Sequence, residues 1–262
     1  MGYAARNDAE EVLNPDVGIH WAWMAALAAG GLVASTSSAA VGIGGGLLVM
    51  PLLSLWLPPQ EVVAYTTPMF LASTMVNFWR YRRQIDKRTV LYLTPGVLVG
   101  IVAGAHLLRA ESPATIRWIM GAIAIVFAGQ EVYRLISHRP VRRLPVWTAL
   151  PMTLVAGVAS ALTNIGGTIV SLAMLGLNLS PSVFVGTLNA VMMGMSLLKL
   201  GLFAGNGLLG WQGVLWALPS IPAIILGSWA GQQLNHRFSP LIFRWVMVTI
   251  IGASAVLLVG GV

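Results

Sequence analysis

The chain has 262 residues, of which 57% are hydrophobic and only 9% are charged, and its mean hydropathy is +0.81. A soluble domain carries about 25% charged residues, so this composition excludes an ordinary soluble protein and predicts an all-α polytopic membrane protein. The net charge is +7, but the basic residues lie beside apolar segments, as in cytoplasmic loops, so no nucleic-acid partner is expected. The sequence contains no cysteine, which excludes disulfides, thiol catalysis and cysteine-ligated metals.

The chain begins with a polar, acidic tail at residues 1–19, without the basic region of a signal peptide, so the first apolar segment is expected to stay as a membrane helix. Two later segments, 44–57 and 166–177, are shorter than the ~20 residues that span a bilayer, and each follows a glycine-rich break. Eight long spans result if these two continue the preceding helix, and ten if they are counted separately. The predicted apolar segments are 20–41, 44–57, 62–79, 90–108, 115–136, 146–163, 166–177, 182–204, 211–234 and 241–261.

The two halves of the chain repeat each other. At an offset of 122 residues, L32-V-A-S-T-S-S-A-A-V-G-I-G-G-G46 aligns with L154-V-A-G-V-A-S-A-L-T-N-I-G-G-T168. At an offset of 127, S112-P-A-T-I-R-W-I-M120 aligns with S239-P-L-I-F-R-W-V-M247. The sequence therefore predicts a first transmembrane repeat at 20–136, a linker at 137–145 and a second repeat at 146–262, each with four long helices and a broken first helix.

Loop charges indicate the orientation of the repeats. The loop 80–88 and the linker 137–145 are rich in arginine, so both are expected on the cytoplasmic side. The counterpart of the first loop in the second half, near 202–210, carries no charge. This difference favours an inverted repeat, which requires an odd number of crossings per half: five if the two short segments cross. A parallel arrangement of four plus four helices remains the alternative.

The glycine run Gly42–Gly46 and its partner Ile165–Thr168 are the predicted functional feature. A helix that begins after a break presents unpaired amides and the positive end of its dipole, which together bind anions. Matched broken helices in two repeats indicate a transporter site. The alternative is that the glycines only allow close helix packing.

Side chains near the two breaks supply further hydrogen-bond donors. Intramembrane carboxylates, which cation transporters need, are nearly absent: Glu131 is the one acid within a span, with Arg134 as its expected partner. Lys199 lies deep in an apolar segment, where it either serves the site or extends to the membrane surface. The candidate substrate-binding residues are Gly44, Gly45, Gly46, Ser38, Thr163, Asn164, Gly166, Gly167, Thr168, Thr67, Asn77, Asn189 and Lys199.

The G-x-G-G-G-x-x-x-x-P motif at Gly42–Pro51, its echo at Ile165–Thr168 and the duplicated helices resemble the sulfite exporter TauE/SafE family, also called the 4-toluene sulfonate uptake permease family. The second motif departs from the pattern, because Thr168 replaces a glycine and Ala173 stands where a proline is expected. The resemblance covers about residues 20–260 and implies transport of sulfite, sulfoacetate, sulfonates or thiosulfate.

These patterns together predict a secondary transporter for a small anion in the bacterial cytoplasmic (inner) membrane, with alternating access and no metal or other cofactor. The expected partners are the anion, the lipid bilayer and a coupling proton or ion, and the oligomeric state stays open. An anion channel is the alternative. An enzyme is not expected, because the sequence has no H-E-x-x-H, G-x-S-x-G or metal-ligand cluster.

Overall fold

The computed structural model describes residues 15–41, 46–137, 149–174, 177, 179–237 and 240–260, and within these ranges it contains helices and no strand. The helices, in chain order, are α1 (Pro15–Val41), α2 (Gly46–Ser54), α3 (Pro59–Tyr81), α4 (Lys87–Ala110), α5 (Pro113–Ser137), α6 (Ala149–Thr163), α7 (Gly166–Met174), α8 (Pro181–Gly205), α9 (Trp211–Ala217), α10 (Ser220–Arg237) and α11 (Pro240–Gly260).

Proline marks the start of several helices. Pro59, Pro113, Pro181 and Pro240 each occupy the first helical position. A proline is tolerated there because its missing N–H would have no partner within the helix, and its fixed φ already suits the helix. The same residue type breaks the segment predicted at 211–234 into α9 and α10: Pro219 lies between them and has no N–H to continue the ladder.

The helices have the length and composition of a multi-pass membrane protein. In the described part of the chain, α4, α5 and residues Ser182–Gly205 of α8 are long and apolar enough to cross a bilayer, and shorter apolar helices accompany them. Large apolar side chains such as Leu91, Val126 and Trp229 are exposed on the outside of the bundle, as expected where lipid replaces water. The predicted all-helical, polytopic membrane class is therefore supported, although the number of crossings is not fixed by these lengths.

Two pairs of helices pack at unusually short range. The α4–α6 pair meets where a Cβ built on Gly157 would lie 2.8 Å from the Cα of Gly100. The α1–α10 pair meets where a Cβ built on Gly227 would lie 2.5 Å from the carbonyl oxygen of Leu32. Small residues allow such close backbone contact, which is the main source of helix association in lipid.

The two short helices fold back beside the helices that precede them. A Cβ on Gly166, the first residue of α7, would meet the carbonyl of Ala156 and the side chain of Ser160 in α6. In the first half, the Val49 side chain of α2 lies 3.0 Å from the Cβ position of Gly30 in α1. Neither short helix therefore continues the axis of its predecessor.

Helices α3 and α8 run antiparallel to each other. Near the start of α3, the Tyr65 ring packs against Gly213, which follows the end of α8. At the other end, Gly186 near the start of α8 packs against the carbonyls of Tyr81 and Gln84 at the end of α3. The N–H of Asp86 also donates to the Thr187 hydroxyl at 2.9 Å, which fastens the loop after α3 to α8.

Asp86 is the N-cap of α4. Its carboxylate accepts hydrogen bonds from the Thr89 hydroxyl at 2.6 Å and from the backbone N–H groups of Arg88 and Thr89 at 3.2 and 3.3 Å. The Thr89 hydroxyl is the main reason that the pKa of Asp86 lies below its ordinary value, and the two N–H groups add to the effect. A carboxylate at the N-cap accepts hydrogen bonds from backbone amides that have no partner within the helix. Its negative charge also interacts favourably with the positive end of the helix dipole.

We expect Asp86→Ala to lower the melting temperature of the purified protein, whereas Asp86→Ser, which keeps an N-cap oxygen, should retain most of the stability. Because the folded-state pKa of Asp86 is lowered, its stabilisation is fully present above the ordinary pKa of about 3.9 and is lost as the pH falls through the folded-state value. Thermal unfolding of both proteins between pH 8 and pH 3 measures this. A difference that disappears between pH 8 and pH 6 would contradict it.

Candidate functional site

A cavity of about 620 Å³ lies inside the bundle. Its wall is built by α1, the start of α2, the second half of α3, α5, the break between α6 and α7, the first half of α8, and parts of α7, α10 and α11. The wall is mixed in character. Its apolar part includes Met69, Phe70, Phe127, Leu172, Phe184, Met192 and Ile251, and its polar part comprises Ser35, Ser73, Thr74, Asn77, Gln130, Glu131, Asn164, Thr168, Ser171 and Asn189.

The two helix breaks meet at this cavity. Gly46, the first residue of α2, and Asn164, which separates α6 from α7, both line the wall. A Cβ on Gly46 would lie 2.7 Å from the carbonyl oxygen of Asn164, so the two chain segments are in direct contact. Only glycine permits this approach, because any other residue would place an atom inside the neighbouring backbone.

Asn164 has a left-handed backbone conformation, with φ of 54°. Asparagine tolerates this region better than most residues, and at the repeat offset its counterpart in the sequence is Gly42, a residue type for which a positive φ carries no steric cost. The turn ends α6 and lets α7 begin two residues later. The Asn164 side chain then connects three other helices. Its Nδ2 donates to the Thr66 hydroxyl of α3 at 3.0 Å and points to the Met50 sulfur of α2 at 3.8 Å. Its Oδ1 accepts a hydrogen bond from Lys199 of α8.

Lys199 lies behind the cavity wall. Its side chain is only 2% exposed, and its Nζ donates to the Ser160 carbonyl at 3.2 Å and to Oδ1 of Asn164. The Ser160 carbonyl belongs to the last turn of α6, which is the negative end of that helix. A cation beside such carbonyls is favourable. The ammonium therefore points to the break between α6 and α7 and does not extend to the membrane surface.

The start of α7 lines the cavity. The first N–H groups of a helix have no carbonyl one turn earlier in the same helix to bond. The N–H of Thr168 donates to the Ile165 carbonyl at 2.9 Å, and Gly167 and Thr168 both line the wall. This combination of helix N-terminus, missing side chain and hydroxyl suits an oxyanion.

The polar side chains of the wall fall into two groups. Several donate to carbonyls of their own helix: Ser35 to Gly31 at 2.7 Å, Thr74 to Phe70 at 3.0 Å, Ser171 to Thr168 at 2.7 Å and Asn189 to Val185 at 2.9 Å. Others make no hydrogen bond within the described part of the chain and keep their donors for a bound molecule or water. These are Ser73, Asn77, Gln130 and Thr168.

Glu131 also lines the cavity and is half-buried. It is the one ionisable residue among those of the wall that the structure describes, since Lys199 is behind it. The expected partner, Arg134, has a side chain outside the described residues.

A sequence model for the sulfite exporter TauE/SafE family matches residues 27–258. The chain belongs to the TauE/SafE family. No curated protein and no solved structure matches it. The resemblance drawn from the glycine motifs is therefore confirmed, and with it the coarser statement that the chain is a multi-pass membrane protein of a transporter family. In its described residues, no three histidine or acidic side chains gather in a way that could hold a metal ion.

The structure of this TauE/SafE protein distributes the candidate residues unequally. Gly46, Asn77, Asn164, Gly167, Thr168 and Asn189 line the cavity. The hydroxyls of Thr163 and Thr67 instead bond carbonyls in their own helices, at 2.7 and 2.8 Å. Gly166 packs against α6 and Lys199 lies behind Asn164. Gly44, Gly45 and the side chain of Ser38 lie outside the described residues.

Some wall residues were not among the predicted candidates. Gln130 and Ser171 are polar positions on α5 and α7, and Phe127, Phe184 and Met192 form much of the apolar wall. Gln130 had a usable signal, because two adjacent polar residues inside an apolar segment are unusual. The aromatic residues had none, because aromatic side chains occur throughout membrane helices.

The contact between the breaks can be tested with one methyl group. Gly46→Ala would place a Cβ 2.7 Å from the Asn164 carbonyl oxygen, so α2 and the break must separate. Overpacking of this kind costs about 1–3 kcal/mol, and we expect a melting temperature several degrees lower in a thermal-unfolding assay. Gly201→Ala is the matched control, since nothing lies within 4 Å of its added Cβ. Equal melting temperatures for the two variants would show that the breaks do not touch.

Proposed function

We propose that the chain is a secondary transporter that moves a small anion, a sulfur oxyanion or an organosulfonate, across the bacterial cytoplasmic membrane by alternating access. The observation that carries the proposal is the junction of the two helix breaks at one cavity, where Gly46 meets Asn164 beside the N-terminus of α7. Membership in the TauE/SafE family supports the substrate class.

The wall of the cavity suits such a substrate. Amides at the start of α7 and the free donors Asn77, Gln130 and Thr168 supply hydrogen bonds to oxygen atoms, and the Lys199 ammonium behind Asn164 adds positive charge. The volume of about 620 Å³ lies within the range of small-molecule sites, roughly 300–1,000 Å³. It holds a sulfonate with an organic group against the phenylalanines, or a smaller oxyanion with water.

Equivalent contacts in the two halves support a duplicated architecture. At the offsets of 122 and 127, Ser35 corresponds to Gly157 and Gly227 to Gly100. A Cβ on Gly227 would meet the Ser35 hydroxyl, and a Cβ on Gly100 would lie 2.9 Å from the Cα of Gly157. These matched contacts support a two-fold relation between the α1–α10 and α4–α6 interfaces.

A second pair of contacts follows the same rule. Tyr65 corresponds to Thr187, and Gly213 to Asp86. Tyr65 packs against Gly213, and Thr187 accepts a hydrogen bond from the N–H of Asp86. Equivalent helices α3 and α8 are antiparallel, which supports a two-fold axis in the membrane plane and hence inversion. The uncharged loop near 202–210 favours the same orientation.

In this proposal α2 and α7 are re-entrant arms. Because each folds back along the preceding helix, the crossings of the first half are α3, α4 and α5, and those of the second are α8, α9–α10 and α11. Three is an odd number, so the second half is inverted even though the short helices do not cross the membrane. The five-crossing scheme, by contrast, requires both short helices to cross. The breaks at the tips of the two arms then meet inside the membrane.

The conformation described fits a cavity directed toward the cytoplasm. The wall includes Asn77 and Glu131, which lie near the ends of α3 and α5 that lead to the two basic, cytoplasmic segments. At the opposite end of α3, the rings of Trp23, Tyr65 and Trp216 pack edge-to-face and stacked, with centroids 4.8–6.4 Å apart. We assign this aromatic cluster as the closed outer end, and rocking of the halves would exchange the open end.

The proposal predicts saturable binding and flux of sulfur anions. Purified protein should gain thermal stability with sulfite, thiosulfate or sulfoacetate, and proteoliposomes should take up the same anion with saturation. Thr168→Val should reduce the affinity by about tenfold or more, because one hydrogen bond to a charged group contributes about 1.5–3 kcal/mol. Asn164→Leu should have a similar effect, because it removes the amide that connects the break to Thr66 and Lys199. Ser254→Ala is a matched control, since its hydroxyl is buried and bonds Ile250 at 2.9 Å, away from the cavity.

Several outcomes would contradict the proposal. Normal transport by folded Asn164→Leu protein would show that the break between α6 and α7 is not part of the binding site. Single-channel currents would indicate an anion channel instead of a transporter. Taurine and simple carboxylates complete the panel, and a preference for carboxylates would overturn the proposed sulfur-anion class.

A further inference from the structure

Lys199 of α8 lies behind the cavity wall, and the cavity residue that it contacts is Asn164. Lys199 is 2% exposed and does not line the cavity, so a bound anion meets Asn164 before it meets the ammonium. Its acceptors are the Ser160 carbonyl at 3.2 Å and Oδ1 of Asn164. Both acceptors belong to the end of α6, at the break that precedes α7.

The ammonium determines which way the Asn164 amide faces. An ammonium group can only donate hydrogen bonds, so the atom of Asn164 that faces Lys199 must be the carbonyl oxygen. The Nδ2 group must then point to the Thr66 hydroxyl, at 3.0 Å. Because that hydroxyl accepts from Asn164, its own proton goes to the Val62 carbonyl at 2.6 Å. Every donor in this series of hydrogen bonds therefore has a fixed direction. The Asn164 amide alone would not impose that direction, because its oxygen and nitrogen could exchange places.

The backbone at Asn164 depends on the same contacts. Its φ of 54° is an unusual conformation, and its N–H donates to the Ser160 carbonyl at 3.1 Å, the oxygen that also accepts from Lys199. Lys199 thus contacts both sides of the turn, the Ser160 carbonyl in the last turn of α6 and the side chain of Asn164. Helix α7, whose first turn lines the cavity, begins directly after this turn.

We propose that Lys199 is a positioning residue: it fixes the amide of Asn164 and the break between α6 and α7, and through them it sets the affinity and selectivity of the anion site. The proposal rests on the proposed function, because it concerns the same site. It differs from a direct ion pair between Lys199 and the substrate, and from a role in stability alone.

A double-mutant cycle separates these roles. Lys199→Met keeps most of the side-chain volume and removes the donor, and Asn164→Gly removes the amide while still permitting a positive φ. If the two residues act as one unit, each variant loses about tenfold in sulfite or thiosulfate affinity, and the double variant loses about the same tenfold and not a hundredfold. Isothermal titration of the folded, monodisperse protein gives these affinities.

Selectivity provides a readout that a merely structural role would not move. If Lys199 is a positioning residue, Lys199→Met should lower the ratio of the thiosulfate affinity to the acetate affinity. If Lys199 contributes only to stability, the variant should have a lower melting temperature and an unchanged ratio. Lys199→Gln, which restores a neutral N–H donor, should recover part of the ratio. Lys199→Leu, which also lacks a donor, replaces the methionine variant in the cycle if that variant does not fold. Ser254→Ala, with a buried hydroxyl outside the cavity, should leave the ratio unaltered.

The results that overturn the proposal are distinct. Additive losses in the cycle would show that Lys199 acts independently of Asn164, and an unchanged affinity and ratio in Lys199→Met would show that it does not act on the site. In either case wild-type binding leaves the proposed function intact. If the wild-type protein binds none of the anions, the proposed function fails and the positioning role fails with it.

Discussion

The structure depends on the way a polypeptide can end a helix inside a membrane. A helix end leaves backbone groups without partners, and lipid offers no water to satisfy them. The break between α6 and α7 meets this constraint with Asn164, whose positive φ turns the chain and whose amide connects Thr66 and Lys199. The Ser160 carbonyl accepts both from Asn164 and from Lys199. The packing of α7 beside α6 and the contact of this break with Lys199 follow from this one turn.

Close packing makes the turn possible at the centre of the bundle. The glycines of the α4–α6 and α1–α10 interfaces bring these helices to backbone contact, and both α1 and the break after α6 line the same cavity. Gly46 then reaches the Asn164 carbonyl, where a larger residue would hold the two breaks apart. Small residues thus have two separate roles here: they join the helices, and they expose the backbone that faces the cavity.

Much of this organisation could be predicted from the sequence because it follows from one-dimensional patterns. Apolar segments and the matched motifs at Gly42–Gly46 and Ile165–Thr168 indicated the helices, the breaks and the family. The directions of side chains were not predictable in the same way. Thr163 and Thr67 were plausible donors, but a hydroxyl in a helix readily bonds the carbonyl four residues earlier, and both do so. Lys199 was ambiguous because its depth and its partner depend on contacts between segments 35 residues or more apart.

The contact between Tyr65 and Gly213 has a further consequence when it is set beside its counterpart. At one end of the α3–α8 pair, the Tyr65 ring packs against Gly213 and is supported by Trp23 and Trp216. At the other end, the positions that correspond to these two in the sequence repeat are Thr187 and Asp86, which are joined by a hydrogen bond. Separating the aromatic end exposes apolar surface to water, at about 25 cal/mol per Å². Separating the polar end releases groups that water hydrates at once. The two ends of the α3–α8 pair therefore differ in the hydration cost of separating them, and the aromatic end is the costlier of the two to open.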